Sequence, residues 1–429
     1  MKRQGPGAGV HPKRGPRPRE TGALAALHSR PFRIYAAGQL AATISLWIQR
    51  IVQDWLVFEL TGSPAMVGAL VLIQFGPTLL LGMWGGVIAD RYATGRLLLF
   101  TQSGAAVVAL LMAVLGLTGG LGVATIFIAV AVLGVLSVVE RPAQQVFVGE
   151  LVDAARLPNA ISMNSTIFQT GSMLGPAVGG LMIPLGPGWA FGTAALLSAG
   201  NVLALKQIAA RAEARHAAPK AKGQIAEALR YCVQRPPIFW TLLLLCFVSL
   251  IGLNWPVLLT SMAEAAGAGG VGYGLYTSAL GAGALIGALL ALRRSVVRLR
   301  SVYLATVGFM IFKLIAAFVG NQWIFVSLIA AAAACSILMW TAANTTLQQS
   351  SERYIRGRVM SLYILIAIGG QALGGPLLGW VIELTGPQGA MALSAGIPLA
   401  AALSIGSLAL LWQRRARHQA SAEAQGKGI

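Results

Sequence analysis

Acidic residues are scarce in this chain. Thirteen Asp and Glu stand against 32 Lys and Arg, and charged residues of both signs fill only 10% of its 429 positions. A soluble domain averages about 25% charged residues. A chain that is 56% hydrophobic would therefore leave large apolar patches facing water. Cysteine and histidine are equally thin. Cys232, Cys246 and Cys335 lie far apart with no metal-ligand spacing, so neither disulfides nor a cysteine centre is expected. His11, His28, His216 and His418 all sit in polar flanks, which leaves no histidine relay inside the apolar spans. A Walker pattern, a His-Glu-x-x-His helix, a Cys pair and a Gly-x-Ser-x-Gly elbow are all missing, so ATP-driven and enzymatic readings find no foothold. Gly274, Gly281, Gly283 and Gly287 fall within an apolar span and do not form a nucleotide loop. No cofactor and no metal are expected.

What the chain does have is long apolar runs. Stretches of roughly 20 apolar residues are the signature of membrane-crossing helices. Twelve occur, near 34–59, 65–89, 97–117, 122–140, 160–183, 189–208, 237–259, 271–292, 302–320, 323–348, 360–383 and 389–412. Thirty of the 32 cationic residues fall in the two tails and in five alternate loops, and none falls in the six loops between. Basic flanks stay in the cytoplasm, so both termini are expected there, with the lipid bilayer of a bacterial inner membrane around the spans. The net charge of +19 then reflects many short loops facing an anionic leaflet and not a nucleic-acid surface. The expected fold is all-α and integral to the membrane: twelve helices in two pseudo-symmetric six-helix bundles.

The expected division is a disordered basic tail over 1–33, a first bundle over 34–208, a polar linker over 209–236, a second bundle over 237–413 and a tail over 414–429. The first tail is rich in Gly, Pro and Arg. Within the linker, Ile225 to Val233 alternate with helical period, which predicts a short surface helix. The halves also look repeated. A shift of 200 residues puts Arg156 on Arg356, Gly175-Pro176 on Gly375-Pro376, Gly179 on Gly379 and Gly186-Pro187 on Gly386-Pro387. Parallel six-helix repeats are a secondary-transporter architecture.

Four stretches carry a family likeness. They are Trp47–Trp55 followed by Glu59–Pro64; Gly86-Val-Ile-Ala-Asp-Arg91 with Arg96; Arg141–Gln145 through Glu150, Leu157–Ile161 and Asn164 to Gly175–Gly180; and Arg356–Ser361 leading to Gly374–Gly379. In order and placement the chain resembles the major facilitator superfamily over nearly its whole length. Within it, the chain resembles the branch of transmembrane secretion effectors that includes the enterobactin exporter. The resemblance implies a conformational latch built on Gly86, Asp90, Arg91 and Arg96. Asp90 would cap the eleventh helix, and Arg91 and Arg96 would pair with Glu140. The sequence departs from the usual motif at Ala93, Thr94 and Gly95, and Ala291 stands where the second half would repeat Asp90. Gly175, Pro176, Gly179 and Gly180 resemble a fifth-helix motif of antiporting exporters, in which Pro kinks the helix and Gly thins it; ordinary close packing is the alternative.

The first span carries the chemistry. Gln39, Thr43, Gln49, Arg50, Gln53 and Asp54 fall within an arc of about 140°. Such a stripe cannot face lipid, and intramembrane charge is a functional hypothesis by default. Arg50 and Asp54 are one turn apart and can pair. Asp54 is expected to take up and release a coupling proton under the influence of Arg50, with a permanent structural ion pair as the alternative. Further candidates for the cavity wall are Gln74, Asn164, Gln169, Asn254, Trp255, Trp340, Asn344 and Gln371, with a helix-packing contact as the leading alternative for each. Lys313 lies inside the ninth span without an evident partner. The functional expectation is a monomeric exporter of a small amphipathic compound such as a drug, siderophore or secondary metabolite, driven by protons. An uptake symporter and a non-transporting sensor or scaffold of the same fold are the alternatives.

Overall fold

The computed structural model describes residues 25–153, 155–208, 224–292, 299–352 and 354–426, with the side chains of Met83, Asp90, residues 224–228, Leu292 and residues 408–426 outside that description. Its regular structure is helical, with no strand among the described residues. In order run α1 (Arg30–Thr61), α2 (Pro64–Arg91), α3 (Thr94–Thr118), α4 (Val123–Glu150), α5 (Leu157–Met182), α6 (Pro187–Ile208) and a short α7 (Gln224–Gln234). Then α8 (Pro236–Phe247) and α9 (Trp255–Ala265) flank a π-turn over Val248–Gly252. They are followed by α10 (Gly269–Leu292), α11 (Leu299–Ala316), α12 (Gln322–Ser350) and α13 (Arg356–Gly426).

Local chemistry sets many of these boundaries. Proline opens α1, α2, α5, α8 and α9, where its missing N–H is harmless. Gly62 ends α1 in the left-handed region, at φ 63°, and its N–H reaches the Phe58 carbonyl at 2.7 Å. α13 is a helical run of 71 residues broken at Gly386, where φ is 75° and Pro387 follows. Nine of these stretches are long and apolar enough to cross a membrane, counting α8–α9 as one and α13 as one. α1 and α5 fall outside that set because their middles carry polar residues, among them Gln39, Gln49, Arg50, Gln53 and Asp54 in α1 and Asn164 and Gln169 in α5.

Part of the expected basic tail is folded. Residues 1–24 lie outside the described residues, but Ala25–His28 form a short 3-10 turn and α1 begins at Arg30. Phe32 is fully buried, the Ala26 N–H donates to Asn159 Oδ1 at 2.9 Å, and Ser29 Oγ donates to the Leu151 carbonyl at 2.8 Å. A few apolar residues with two anchored polar groups are enough to dock the segment. At the other terminus the helix continues past 413 to Gly426, so the backbone shows no break where the tail was expected to start. The linker residues 209–223 lie outside the described residues, and α7 is helical over Gln224–Gln234, the stretch where a short surface helix was expected.

Packing separates two ends of the molecule. α1–α6 pack mainly among themselves, as do α8–α13, and the contacts between these sets run chiefly through α5 with α10 and α2 with α13. At the end that carries the α1–α2 turn, one apolar cluster runs through both sets: Ile51, Trp55, Val67 and Leu70 share it with Leu258, Tyr273, Leu378 and Met391. At the other end the clusters are separate. One holds Phe32, Tyr35, Leu98 and Phe147, and the other Leu245, Phe309, Leu347 and Val359. The shared end is tight because glycines face each other. A methyl on Gly180 of α5 would lie 2.6 Å from the Gly274 Cα of α10, and one on Gly68 of α2 would lie 2.3 Å from the Gly375 carbonyl oxygen of α13. These two crossings exchange under the 200-residue repeat, since α5 and α13 carry its matching Gly-Pro pairs. The sequence repeat is therefore visible as a repeat of helix contacts.

Candidate functional site

Inward of the shared cluster lies a cavity of about 270 Å³ walled by both sets of helices. α1 contributes Trp47, Arg50, Ile51 and Asp54; α2 contributes Gln74 and Phe75; α5 contributes Phe168, Gln169 and Ser172. From the second set come Asn254 and Trp255 at the break before α9, Tyr273 and Thr277 on α10, Ser336 and Trp340 on α12, and Gln371 on α13. Aromatic walls with a few fixed polar groups suit an amphipathic organic ligand.

Eight of the residues picked from the sequence meet here: Arg50, Asp54, Gln74, Gln169, Asn254, Trp255, Trp340 and Gln371. The others do not line the cavity. Gln49 is buried and donates to Ser45 Oγ at 3.3 Å, and Ser45 in turn donates to the Ala194 carbonyl of α6. Gln53 is buried away from the cavity, and the Gln39 carbonyl accepts from Thr43 at 2.7 Å. Asn164 accepts from the Tyr35 hydroxyl at 3.2 Å, and Asn344 accepts from Gln348 at 2.6 Å. The 140° stripe of α1 thus divides. One edge faces the cavity and the other packs against α6, which its width alone could not reveal.

Arg50 and Asp54 do not form an ion pair. Asp54 Oδ2 accepts from the Tyr273 hydroxyl of α10 at 2.9 Å. The Arg50 guanidinium lies 5.2 Å from the Trp47 ring centroid and 5.8 Å from that of Phe75, a cation–π arrangement. Its Nε is buried without a hydrogen-bond partner. One turn of separation permits the pair but does not compel it, because a phenol from the opposite set competes for the carboxylate. Tyr273 escaped the sequence reading. The available signal was a tyrosine flanked by Gly272 and Gly274 inside an apolar span, where a hydroxyl needs a partner.

The latch expected around Glu140 is also different. Gln102 Nε2 donates to Glu140 Oε1 at 2.8 Å, and Asn201 donates to Gln102 Oε1 at 2.9 Å. The side chains of Arg91 and Arg96 are exposed, and no ion pair joins either one to Glu140. The reason is helix length. α4 runs on to Glu150, so Glu140 sits about 15 Å short of its end at 1.5 Å per residue. The acid that meets the α2–α3 connection is Glu150, whose Oε2 accepts from Thr94 Oγ1 at 2.7 Å. Gly86 lies in the last turns of α2, and the carboxyl group of Asp90 lies outside the described residues.

The α5 glycines serve two neighbours. A methyl on Gly175 would lie 2.5 Å from Trp47 Cβ of α1, and one on Gly179 would lie 3.3 Å from Ile48 Cα, while Gly180 meets α10; Pro176 is buried between them. Lys313 of α11 has a partner after all. It is fully buried, its Nζ donates to the Gly252 carbonyl at 2.7 Å, and it lies 4.7 Å from the Trp255 ring centroid. It satisfies a carbonyl freed by the π-turn, as Asn254 Nδ2 does for Leu250 at 3.0 Å.

A chain of apolar helices in two repeated sets, closed over a cavity at one end, is a multi-pass membrane transporter of the major facilitator type. Residues 21–427 match the family model described as transmembrane secretion effector, and the chain belongs to that family. A stretch of 138 residues is 32% identical to the staphyloferrin A transporter of Staphylococcus aureus (strain NCTC 8325 / PS 47); it covers 32% of this chain and 35%, about a third, of that relative. Among solved structures, the peptide transporter POT in complex with sulfate superposes with a TM-score of 0.71 at 13% identity, covering 89% of this chain and 94% of that one. A bacterial homologue of the human lysosomal transporter Spinster, inward-facing and unoccupied, gives 0.61 at 13% identity, covering 92% and 96%. At these identities the two structures speak for the fold.

Proposed function

We propose that this protein exports a small amphipathic organic compound by proton antiport, with Asp54 as the proton carrier. Twelve helices cross the membrane, counting α1 and α5 and dividing α13 at Gly386, as two six-helix bundles over 34–208 and 237–413. They rock about the cavity. The sorting of basic residues puts the termini in the cytoplasm, so the end sealed by the shared cluster faces outward. The observation that carries the reading is the position of Asp54. It is buried, it lines the cavity, and it is bonded to the opposite bundle. A carboxylate there feels both the ligand and the arrangement of the bundles, which proton coupling requires. The direction follows the family's description as a secretion effector. Siderophores are the first compounds to try, given the relative that transports staphyloferrin A.

The test uses everted membrane vesicles, whose interior corresponds to the outside of the cell. Labelled staphyloferrin A and a panel of hydrophobic dyes are offered with an acidic vesicle interior or with the gradient collapsed. Accumulation that needs the gradient and disappears in Asp54→Asn supports proton-driven export. Gradient-driven uptake into right-side-out vesicles would favour a symporter. No transport of any compound, with a cellular phenotype that survives Asp54→Asn and Arg50→Ala, would favour a sensor or scaffold.

A further inference from the structure

We propose that Tyr273 is the positioning residue that converts the protonation of Asp54 into opening of the sealed end. This rests on the reading of Asp54 as the proton carrier and adds the gate through which that proton acts. Tyr273 is fully buried, and its hydroxyl donates to Asp54 Oδ2 at 2.9 Å across the interface between the two sets of helices. Its ring is stacked on Trp55, with centroids 6.4 Å apart and planes at 28°. The next residue, Gly274, packs against Gly180 of α5, where a methyl on either glycine would meet the other's Cα. A second bond, from Ser63 Oγ to Glu383 Oε1 at 2.7 Å, ties the same end but is exposed to solvent. The Asp54–Tyr273 bond is the buried one, and water does not replace it cheaply.

The chemistry gives the coupling a sign. A phenol donating to a carboxylate makes a charge-assisted hydrogen bond, roughly twice as strong as the one it can make to a neutral carboxyl group. Deprotonated Asp54 therefore holds the sealed end shut, and a proton on Asp54 loosens it. The charged or titratable groups acting on Asp54 are Tyr273 from α10 and Arg50 from its own helix; Glu140 and Arg141 of α4 act on Arg50. An empty carrier that has released its proton inward is thus kept from reopening outward until a ligand competes for Asp54. A symporter, whose empty carrier must return outward, cannot use that ordering; in an antiporter the protonated carrier closes the outer end through its apolar and glycine contacts alone.

The experiment reads the sealed end directly. Spin labels are placed at Leu60→Cys and Leu384→Cys, both exposed near that end, with Cys232, Cys246 and Cys335 changed to Ser. Distances are measured in lipid nanodiscs across a pH series. With Tyr273 present, the short distance dominates at alkaline pH and gives way as pH falls. In Tyr273→Phe the closed-to-open ratio at alkaline pH drops by about tenfold or more, as expected for loss of a charge-assisted bond, and the pH dependence flattens. Asp54→Asn gives the same flattened profile, and Tyr273→Phe added to it changes little, because the two residues act as a unit. A merely structural tyrosine would shift stability without removing the pH profile. The inference is overturned if Tyr273→Phe keeps the wild-type profile, or if its effect adds in full to that of Asp54→Asn. Failure of the carrier reading is read separately: closure that depends on both pH and Tyr273, together with fully coupled transport by Asp54→Asn, keeps the gate and removes Asp54 as carrier.

Discussion

Gly180→Ala tests whether the sealed end is held by backbone contact. The new methyl would lie 2.6 Å from the Gly274 Cα, whereas carbon atoms in contact prefer about 3.5–4.0 Å. The opposing atom is backbone and cannot rotate away, so α5 and α10 must separate by about 1 Å. Overpacking of this kind costs about 1–3 kcal/mol. The strain is relieved when the end opens, so that cost shifts the closed-to-open ratio by about 5- to 150-fold. The assay is alkylation of Thr277→Cys by a membrane-impermeant maleimide added outside intact cells, in a background lacking the native cysteines. Thr277 lines the cavity and is 8% exposed, so wild type should label slowly and Gly180→Ala at least severalfold faster. Gly76→Ala is the control, because a methyl there meets nothing within 4 Å. Wild-type labelling in Gly180→Ala, or an equal increase in Gly76→Ala, would refute the argument.

Further outcomes follow from the same geometry. Asp54→Asn should abolish accumulation driven by a pH gradient while leaving downhill exchange of ligand, measured in proteoliposomes. Lys313→Ala strands the Gly252 carbonyl and removes the cation from Trp255, so thermal unfolding in detergent should show a loss of about 1–3 kcal/mol. Trp340→Ala takes an aromatic wall from the cavity and should weaken ligand binding by about tenfold with little effect on melting temperature. Arg235→Ala breaks an ion pair with Glu352 whose side chains are 44% and 49% exposed, so stability should change by less than about 1 kcal/mol.

The fold was legible because lipid imposes a simple grammar. Apolar runs had to be helices, and the offset shared by Gly175-Pro176 and Gly375-Pro376 marked equivalent crossings that the structure places on α10 and α2. The site was legible in part. Polar residues inside apolar spans could be found, but which neighbour each one faces could not. Gln49 and Gln53 look like cavity residues on a helical wheel, yet Gln49 bonds within the α1–α6 packing and Gln53 is buried off the cavity. Glu140 looked like a helix end because the apolar run stops there, while α4 continues for ten residues to Glu150. Tyr273 and the Gly252 carbonyl that holds Lys313 are contacts between residues 219 and 61 positions apart in the chain. Periodicity along one helix carries no record of such partners.

The claim at the centre of this account is that ligand and proton cross in opposite directions through one cavity. The direct measurement is proton movement driven by ligand in proteoliposomes that enclose pyranine, with staphyloferrin A supplied on one side and no imposed pH gradient. The account predicts a pH change opposite in direction to ligand flow, present in wild type and absent in Asp54→Asn. Proton flow in the same direction as the ligand, or ligand flow with no proton movement, would contradict it.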